Sequence, residues 1–528
     1  MGRPSTRRAF VAAALVLPSV GAAVGAHPLQ SDRNRAAEEL RKLEERYRTA
    51  KNDRDRVDVL FDAAKQLGTA DALRFILKEV DQPTNAYLGD RAIAAFASTA
   101  NGPALSEVAK EAFATIQEPR IRRAVLEALI STKAPITTEV ALPCLGDTDL
   151  ETKLLALELF LQKKAAKLPL EIPKLAGGSG KEDKVRAMAL LAWSACDPTG
   201  AAKAVAAAAK DKSSRVRIAS LLALESSGGA VGDRATAFLT DADRRVRLAA
   251  LSAVQKVRPA SAVPRLIELV GKEEGRVRER AVSVLQEMTQ RNFGTDVAAW
   301  TRWWEQVGPN FVPPAVGGAT DKRKGKSEDA ASREGTRVVE GPRYYEFVVA
   351  SDRVAFLVDV SGSMRAEYTP PGETSAGGSR TKLEQAARAL RECLLALPKG
   401  TKVTILVFNN GPLRFRFNGK DTGLDVDAKL AEEAYRFVVS IGANNATNIN
   451  DSLELVIEDP EVDTVYLLTD GEPSAGRRNL GSRICDWVRR TIRFARTEIN
   501  TVGLGADPRG TEFLKRLAEA GEGKAVSR

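Results

Sequence analysis

The sequence contains a single histidine among its 528 residues, His27. Neither a Ser-His-Asp triad nor a histidine-based zinc site can be built from one imidazole near the N-terminus. The four cysteines, Cys144, Cys196, Cys393 and Cys485, are far apart and form no C-x-x-C pair, so the usual zinc spacings are missing too. We interpret them as small buried thiols, although one pair in each half of the chain is also compatible with the sequence.

Aromatic residues and long apolar runs are scarce as well. Phe, Trp and Tyr make up 5% of the chain, and much Ala, Leu, Arg and Glu favours helix over much of its length. No stretch approaches the roughly 18 apolar residues of a membrane span, so we expect none in the mature chain.

Lys and Arg exceed Asp and Glu by 79 to 69, a mild net charge of +10. Without a basic stripe and aromatic stacking partners, this surplus predicts no nucleic-acid partner.

Residues 1–26 have the pattern of an export signal. Arginines are followed by an apolar run over residues 9–17 and by small residues that permit cleavage after Ala26. The pair Arg7-Arg8 also resembles the twin-arginine motif of bacterial export. An ordinary secretory signal and an uncleaved anchor are the alternatives. We therefore expect an exported bacterial protein, periplasmic or extracellular.

A basic–Val–Arg pattern followed by Ala and Leu recurs through the middle of the chain. The Val or its equivalent falls at positions 121, 152, 185, 216, 246 and 277, with spacings of 30 to 33 residues. Because a lone helical pair cannot bury its apolar side, the helical pairs that follow each copy must stack on their neighbours. The pattern resembles short HEAT-type repeats. It predicts an α-solenoid over residues 85–307, preceded by a charged helical segment over residues 27–84.

The basic residues beside each Val allow two interpretations. They could form an anion-binding stripe along the array. They could instead pair with acidic residues of adjacent repeats, as Asp241 and Asp243 beside Arg244 and Arg245 indicate. We favour the ion pairs, each of which would contribute little on its own at an exposed position.

The array is predicted to end in a tryptophan-rich helix. Trp300, Trp303 and Trp304 follow one another at helical spacing, which is more typical of a buried cap than of a ligand site. Residues 308–342 then change in composition to Pro, Gly and Lys without an apolar period. This composition predicts a flexible linker between two domains of different kind.

After the linker, strands alternate with helices. Apolar runs predict core strands over residues 354–358, 403–408, 465–469 and 499–504, with helices over residues 381–397 and 425–440 between them. This alternation predicts an α/β domain over residues 343–528, an open sheet with helices on both faces. Ligands of such sheets bind beyond the carboxyl ends of the strands.

Polar residues follow two of these core strands. Asp359, Ser361 and Ser363 come directly after the first strand, and Asp470 comes after the third. Thr447 lies between them in a loop that opens a helix. Two carboxylates and three hydroxyls are hard oxygen ligands, which suit Mg²⁺, Mn²⁺ or Ca²⁺ and not zinc or copper. Taken alone, the Asp-x-Ser-x-Ser run could instead be a helix-capping turn.

The Asp-x-Ser-x-Ser run, the later Thr and the Thr-Asp-Gly strand end resemble the von Willebrand factor type A family. The family has a Rossmann-like α/β fold with a metal-ion-dependent adhesion site at these positions. The resemblance implies that Ser361 and Ser363 ligate the metal directly through their hydroxyls. It implies that Thr447 ligates in the ligand-bound state. Asp359 and Asp470 would then act directly or through water.

The resemblance implies metal-dependent binding of a protein partner. A metal with an open position could accept an acidic side chain from that partner, and because no further histidine is available we expect no enzymatic activity. In one alternative the metal only stabilises the last domain, and the repeats form a structural scaffold. In another the protein is a metal-dependent hydrolase, for which Glu472 is the one obvious general base. The loop over residues 365–380 lies beside the predicted site and could act either as a lid or as a disordered insertion.

Overall fold

The structure is a computed structural model that describes seven ranges of the chain. These are residues 30–80, 85–165, 167–178, 182–227, 230–314, 341–369 and 380–528. The predicted export signal, most of the predicted linker and most of the 365–380 loop lie outside them. Within these ranges, no helix combines the length and the apolar character that crossing a membrane requires.

Helices make up the described chain up to residue 310. They are α1 Gln30–Thr49, α2 Asp53–Asp62, α3 Ala70–Lys78, α4 Ala86–Ala97, α5 Gly102–Thr115, α6 Pro119–Ser131, α7 Leu150–Lys163, α8 Glu171–Gly177, α9 Asp183–Cys196, α10 Pro198–Ala208, α11 Ser214–Ser227, α12 Val231–Phe238, α13 Arg244–Val257, α14 Val263–Lys272, α15 Gly275–Thr289 and α16 Val297–Val307. The helices that carry the recurrent pattern pack in series, each against the next, from α6 through α7, α9, α11 and α13 to α15. Their pattern valines, among them Val185, Val216 and Val246, are buried. The predicted solenoid-like array is confirmed.

One hydrophobic core runs through this array. It extends from α1 to α16, so residues 30–80 of the charged segment predicted over residues 27–84 pack onto the array through their apolar side chains. At the other end Trp300 is fully buried, and its Nε1 donates to the carbonyl oxygen of Gly294 at 2.9 Å. Trp303 and Trp304 are half-buried. The predicted tryptophan cap is therefore confirmed for Trp300 and is looser at its two neighbours.

Ion pairs connect successive repeats. In three successive repeats, the arginine that follows the pattern valine pairs with the acidic residue in the turn before the next repeat helix. These pairs are Arg186–Asp211 at 2.6 Å, Arg217–Asp241 at 2.7 Å and Arg247–Glu273 at 3.1 Å. The structure thus confirms the ion-pair interpretation for this position of the pattern. The basic residue that precedes the valine has other partners, and two of these lie in the last domain: Lys184 pairs with Glu458, and Arg276 pairs with Glu498.

The last domain is a mixed α/β unit. Its elements are β1 Arg343–Tyr344, β2 Phe347–Val348, β3 Arg353–Asp359, β4 Glu367–Tyr368, β5 Arg380–Thr381, α17 Lys382–Ala396, β6 Lys402–Phe408, β7 Pro412–Arg414, β8 Leu424–Asp425, α18 Ala428–Ile441, α19 Ile449–Glu454, β9 Thr464–Thr469, α20 Gly481–Ala495, β10 Glu498–Gly503, α21 Pro508–Ala520 and β11 Glu522–Ser527. The main sheet has the order β11-β10-β9-β3-β6-β7, and β8 also pairs with β6. Neighbouring strands are parallel from β11 to β6, and β7 and β8 are antiparallel to β6.

Helices cover both faces of this sheet. Side chains of β3 alternate between the two, with Phe356 packed in the core under α17 and α18 and Leu357 packed in the core under α20 and α21. Because both faces of β3 are buried, its sequence is a continuous run of apolar residues. The predicted open sheet with two covered faces is confirmed. All four cysteines lie in described residues and are unpaired, and only Cys196 is not fully buried.

The last domain lies against the array along α20. Arg493 of α20 pairs with Glu158 of α7 at 2.6 Å. Near the C-terminal end of α20, Arg276 of α15 donates to the carbonyl oxygen of Asp463 at 2.7 Å and to that of Arg496. Contacts with the array thus extend from Asn479, before α20, to Arg496, directly after it.

Candidate metal centre

Asp359 and Asp470 lie side by side at the carboxyl edge of the sheet. Asp359 is the last residue of β3, and Asp470 directly follows Thr469, the last residue of β9. The two strands are parallel neighbours with Val358 paired to Leu468, so their ends meet. In the sheet, β6 pairs with one side of β3 and β9 pairs with the other side, so the later strands are added on opposite sides of β3. This reversal of strand order opens a crevice at the carboxyl edge, where α/β sheets bind ligands.

Two serines join these carboxylates in one hydrogen-bonded cluster. The backbone N–H of Ser361 donates to Oδ1 of Asp359 at 2.7 Å. A 3-10 turn over Gly362–Arg365 carries Ser363, whose Oγ lies 3.2 Å from Oγ of Ser361. The same Ser363 hydroxyl donates to Oδ1 of Asp470 at 2.7 Å. Four of the five predicted ligands are thus brought together by direct contacts.

Thr447 lies in a third segment at the same edge. Its loop is held against the Asp359 loop by the backbone N–H of Gly362, which donates to the carbonyl oxygen of Asn445 at 3.0 Å. The backbone N–H of Thr447 donates to Oγ of Ser474 at 2.9 Å, and the residue is buried. Among the hydrogen bonds of the described residues, its hydroxyl makes none to the other four groups. The structure therefore places the Thr447 segment at this edge, but the Thr447 hydroxyl is not hydrogen-bonded to the other four predicted ligands.

The electrostatics of Asp359 favour a nearby cation. Burial and, to a smaller extent, the charge of Asp470 raise the pKa of this carboxyl to about 6, although hydrogen bonds from Ser361 and Thr469 act to lower it. A buried carboxylate beside a second one is stabilised when a cation lies between them. The donor set is all oxygen, two carboxylates with neutral hydroxyls, and it fits Mg²⁺, Mn²⁺ or Ca²⁺. Within the described residues, no group of three or more His, Cys, Asp or Glu side chains is placed so that it could hold a metal ion.

The sequence did not predict a role for Lys382. This first residue of α17 places its Nζ 2.8 Å from Oδ2 of Asp470, and it also donates to the carbonyl oxygen of Gly505 at 3.2 Å. The helix start is fixed by a capping box in which Thr381 and Glu384 exchange side-chain and backbone hydrogen bonds. Two carboxylates and one ammonium group leave the cluster with a net charge of −1. The only sequence signal was a lysine at a capped helix start after the Asp-x-Ser-x-Ser loop, which is too common to be informative.

Two further side chains, those of Thr469 and Glu472, end or follow β9 and are not among the five predicted ligands. Thr469 donates its hydroxyl hydrogen bond to Oδ2 of Asp359 at 2.5 Å and so holds the second oxygen of that carboxylate. Glu472, the one general base considered from the sequence, is exposed, and its charge acts on Arg91 of the array. No contact of Glu472 with the cluster is present among the described hydrogen bonds and ion pairs.

Comparison with known proteins identifies the family of this region. Residues 354–472 match the family model of the von Willebrand factor type A domain. The human inter-alpha-trypsin inhibitor heavy chain H4 is 27% identical over 177 residues, 31% of this chain and 17% of that protein. The uncharacterized protein YwmD of Bacillus subtilis (strain 168) is 25% identical over 206 residues, 36% of this chain and 84% of that protein. The match to the inhibitor heavy chain thus spans only a small part of that protein.

Solved structures are similar to the chain over part of its length, at low TM-scores. A von Willebrand factor type A protein from Catenulispora acidiphila is 21% identical, with a TM-score of 0.27, and the match covers 34% of this chain and 39% of that one. Human deoxyhypusine hydroxylase is 18% identical, with a TM-score of 0.21, and the match covers 48% of this chain and 97% of that one. The family match over residues 354–472, which contains Asp359, Thr447 and Asp470, means that this chain carries a von Willebrand factor type A domain behind an array of helices.

Proposed function

We propose that the protein is an exported, non-enzymatic binding scaffold whose last domain uses a divalent cation to engage a protein partner. The ligands of the cation are Asp359, Ser361, Ser363, Thr447 and Asp470. The observation that carries this proposal is the hydrogen-bonded cluster of the two serine hydroxyls with the paired carboxylates at the carboxyl edge of the sheet. The family match over the same residues supports it.

Each group has a distinct part in this proposal. Asp359 and Asp470 supply the negative charge, and the hydroxyls of Ser361 and Ser363 supply neutral oxygens. Because only two ligands are charged, a bound Mg²⁺ or Mn²⁺ keeps part of its positive charge and attracts a carboxylate from a partner. Thr447 lies on a separate loop and can complete the ligand set when the partner arrives. The partner is therefore expected to present an exposed Asp or Glu.

Lys382 favours a binding role for the cation over a purely structural one. Its ammonium group already lies against Asp470 at 2.8 Å. The charge of the more solvent-facing carboxylate is thus compensated by the protein itself, and the fold does not depend on a metal to neutralise it. A cation that is not needed for folding is free to be bound and released with a partner.

Cation binding by the full chain tests this proposal. We expect saturable Mg²⁺ and Mn²⁺ binding in a calorimetric titration, and we expect Asp470→Asn to weaken it by at least about tenfold, because one of two charged ligands is lost. Asp425→Asn is the matched control, since Asp425 is an exposed carboxylate at the amino end of the same sheet, paired with Lys402. A wild-type chain that binds neither cation, or equal binding by both variants, would refute the proposed site.

A further inference from the structure

The loop that leaves the candidate metal centre is held by the array. We call residues 471–480 the β9–α20 loop, because they join Asp470 to α20. At its end, the backbone N–H groups of Asn479 and Leu480 both donate to Oδ2 of Asp90 in α4, at 2.9 and 2.6 Å. Asp90 is 3% exposed. A carboxylate of the array therefore holds the two residues directly before α20 and lies at the N-terminus of that helix.

A second contact fixes the same end of the loop. Arg478 is 4% exposed, and its guanidinium pairs with Glu127 at 3.2 Å and with Glu151 at 2.7 Å, both in the array. It also pairs with Glu454 of its own domain at 3.0 Å. Burial opposes the charged form, but the three carboxylates outweigh it, so the pKa of Arg478 is raised. Such a buried, multiply paired arginine holds its backbone in one position, because any shift would leave charges unpaired.

The other part of the β9–α20 loop is bound to the Thr447 segment. Oγ of Ser474 accepts from the backbone N–H of Thr447 at 2.9 Å, and the N–H groups of Ser474 and Ala475 donate to the carbonyl oxygen of Thr447 at 2.9 and 3.2 Å. Gly476 has a φ of +101°, and a Cβ there would lie 2.1 Å from Oδ1 of Asn448. A glycine is therefore required at this position, because the backbone of the loop lies directly against the Thr447 segment.

These contacts form one continuous path from the array to the metal centre. We propose that Asp90 is a positioning residue through which the array holds the β9–α20 loop, and that this sets the cation affinity of the metal centre. The affinity part of this inference rests on the proposed function. Its physical basis is that Asp470 and Thr447 are both attached to the loop, so a loosened loop must be ordered again when the cation binds. The array is then part of the binding machinery and not only a scaffold beside it.

Two readouts on the full chain test this inference. Asp90→Ala is expected to weaken Mn²⁺ binding about tenfold, within the usual range of coupling between sites, and to speed amide hydrogen exchange in residues 474–480. Asp90→Asn keeps an acceptor oxygen for the two N–H groups but gives up the charge that pairs with Arg483, so it should restore part of both properties. If Asp90→Ala does not fold, Glu151→Gln weakens the other contact at a half-exposed carboxylate and should act in the same direction.

Arg276→Ala is the matched control. It removes a contact between the array and the last domain at the amino end of β9, where Arg276 donates to the carbonyl oxygens of Asp463 and Arg496. We expect its Mn²⁺ affinity to stay within about twofold of the wild type, with exchange in residues 474–480 unchanged. An equal loss in both variants would mean general loosening of the domains and would overturn the inference. Faster exchange with unchanged affinity would also overturn it.

Failure of the proposed function would look different. If the wild-type chain bound no cation, the proposed metal centre would be wrong, and there would be no cation affinity for Asp90 to set. Hydrogen exchange needs no metal and would still decide whether Asp90 holds the loop. Unchanged exchange in Asp90→Ala would refute that as well.

Discussion

At the scale of single residues, Lys382 compensates the charge of Asp470 in the candidate metal centre when no cation is bound. Its side chain is 13% exposed and pairs with Asp470, which is 3% exposed. Lys382→Met should therefore lower the free energy of unfolding of the metal-free protein by about 3 kcal/mol, because it leaves a buried carboxylate without its charged partner. Added Mg²⁺ should restore part of this loss, so the Mg²⁺-induced rise in Tm should be larger in the variant than in the wild type.

Thermal unfolding with Mg²⁺ and with chelator measures this difference. Lys402→Met is the control, because Lys402 pairs with the exposed Asp425 at the opposite edge of the sheet. An equal Mg²⁺-induced rise in wild type and Lys382→Met would show that Lys382 does not compensate for the cation.

The residues of the candidate site were predictable to different degrees. Asp359, Ser361, Ser363 and Asp470 could be found because they follow core strands that the apolar runs reveal, and strand ends meet at one edge. The contact of Lys382 could not be found, because it depends on where the start of α17 lies relative to β9. For Thr447 only the position of the segment was predictable. The segment lies at the predicted edge, but its hydroxyl makes no described contact with the cluster.

At the scale of elements, the ion pairs between successive repeat helices should matter more than surface pairs. Nε and Nη2 of Arg217 donate to the two carboxylate oxygens of Asp241 at 2.8 and 2.7 Å, and Nη1 donates to two carbonyl oxygens in the preceding turn. Arg217→Ala should lower the free energy of unfolding by about 2 to 3 kcal/mol, because a nearly buried aspartate and two carbonyl groups lose their donor.

Urea denaturation of the full chain checks this prediction. Arg265→Ala is the control, since Arg265 is more than half exposed and pairs with Glu268 one turn away in the same helix. We expect a change within about 0.5 kcal/mol for it. Equal effects of the two substitutions would contradict the view that these pairs hold the repeats together.

Element types were more predictable than element ends. The predicted helix over residues 425–440 begins at Ala428, because the side chain of Asp427 accepts from the backbone N–H of Leu430 and caps the helix there. The predicted core strands lie within one residue of the observed ones, because buried parallel strands are marked by continuous apolar runs. Short pairings such as that of β4 with β5 leave no such run and were missed.

At the scale of the whole molecule, the two domains are joined by charge. Glu158 is 1% exposed and pairs with Arg493 of α20 through two contacts of 2.6 and 2.9 Å. Burial raises the pKa of Glu158, but the contacts with Arg493 outweigh it, and the pKa lies below the ordinary value of 4.5. A carboxyl with a depressed folded pKa adds stability above the unfolded value, and this stability is lost as pH falls through the folded value.

We therefore expect the contact between array and last domain to weaken as pH falls below about 4.5. Small-angle scattering should show a larger radius of gyration at low pH before the far-UV circular dichroism of the helices is lost. The pair Glu158→Gln with Arg493→Met removes the charges and should make the radius less sensitive to pH. A radius that rises equally in this variant would rule out Glu158 as a cause.

The placement of the domains could not be predicted from the sequence. Arg483, Arg490 and Arg493 on α20 have the appearance of a solvated basic face, and the repeats carry acidic residues that are unremarkable one by one. Only the folded array brings Glu127 and Glu158 opposite that face. Complementarity of this kind arises between surfaces, so it has no signature within either segment of sequence.

Water-proton relaxation of the Mn²⁺-loaded chain tests the central claim most directly, because it reports a bound cation and its open coordination position together. We predict enhanced relaxation on Mn²⁺ binding, loss of the enhancement in Asp470→Asn, and a decrease when a glutamate-containing peptide displaces the bound water, with no decrease for the matched glutamine peptide. No enhancement in the wild type, or an equal decrease with both peptides, would contradict the account.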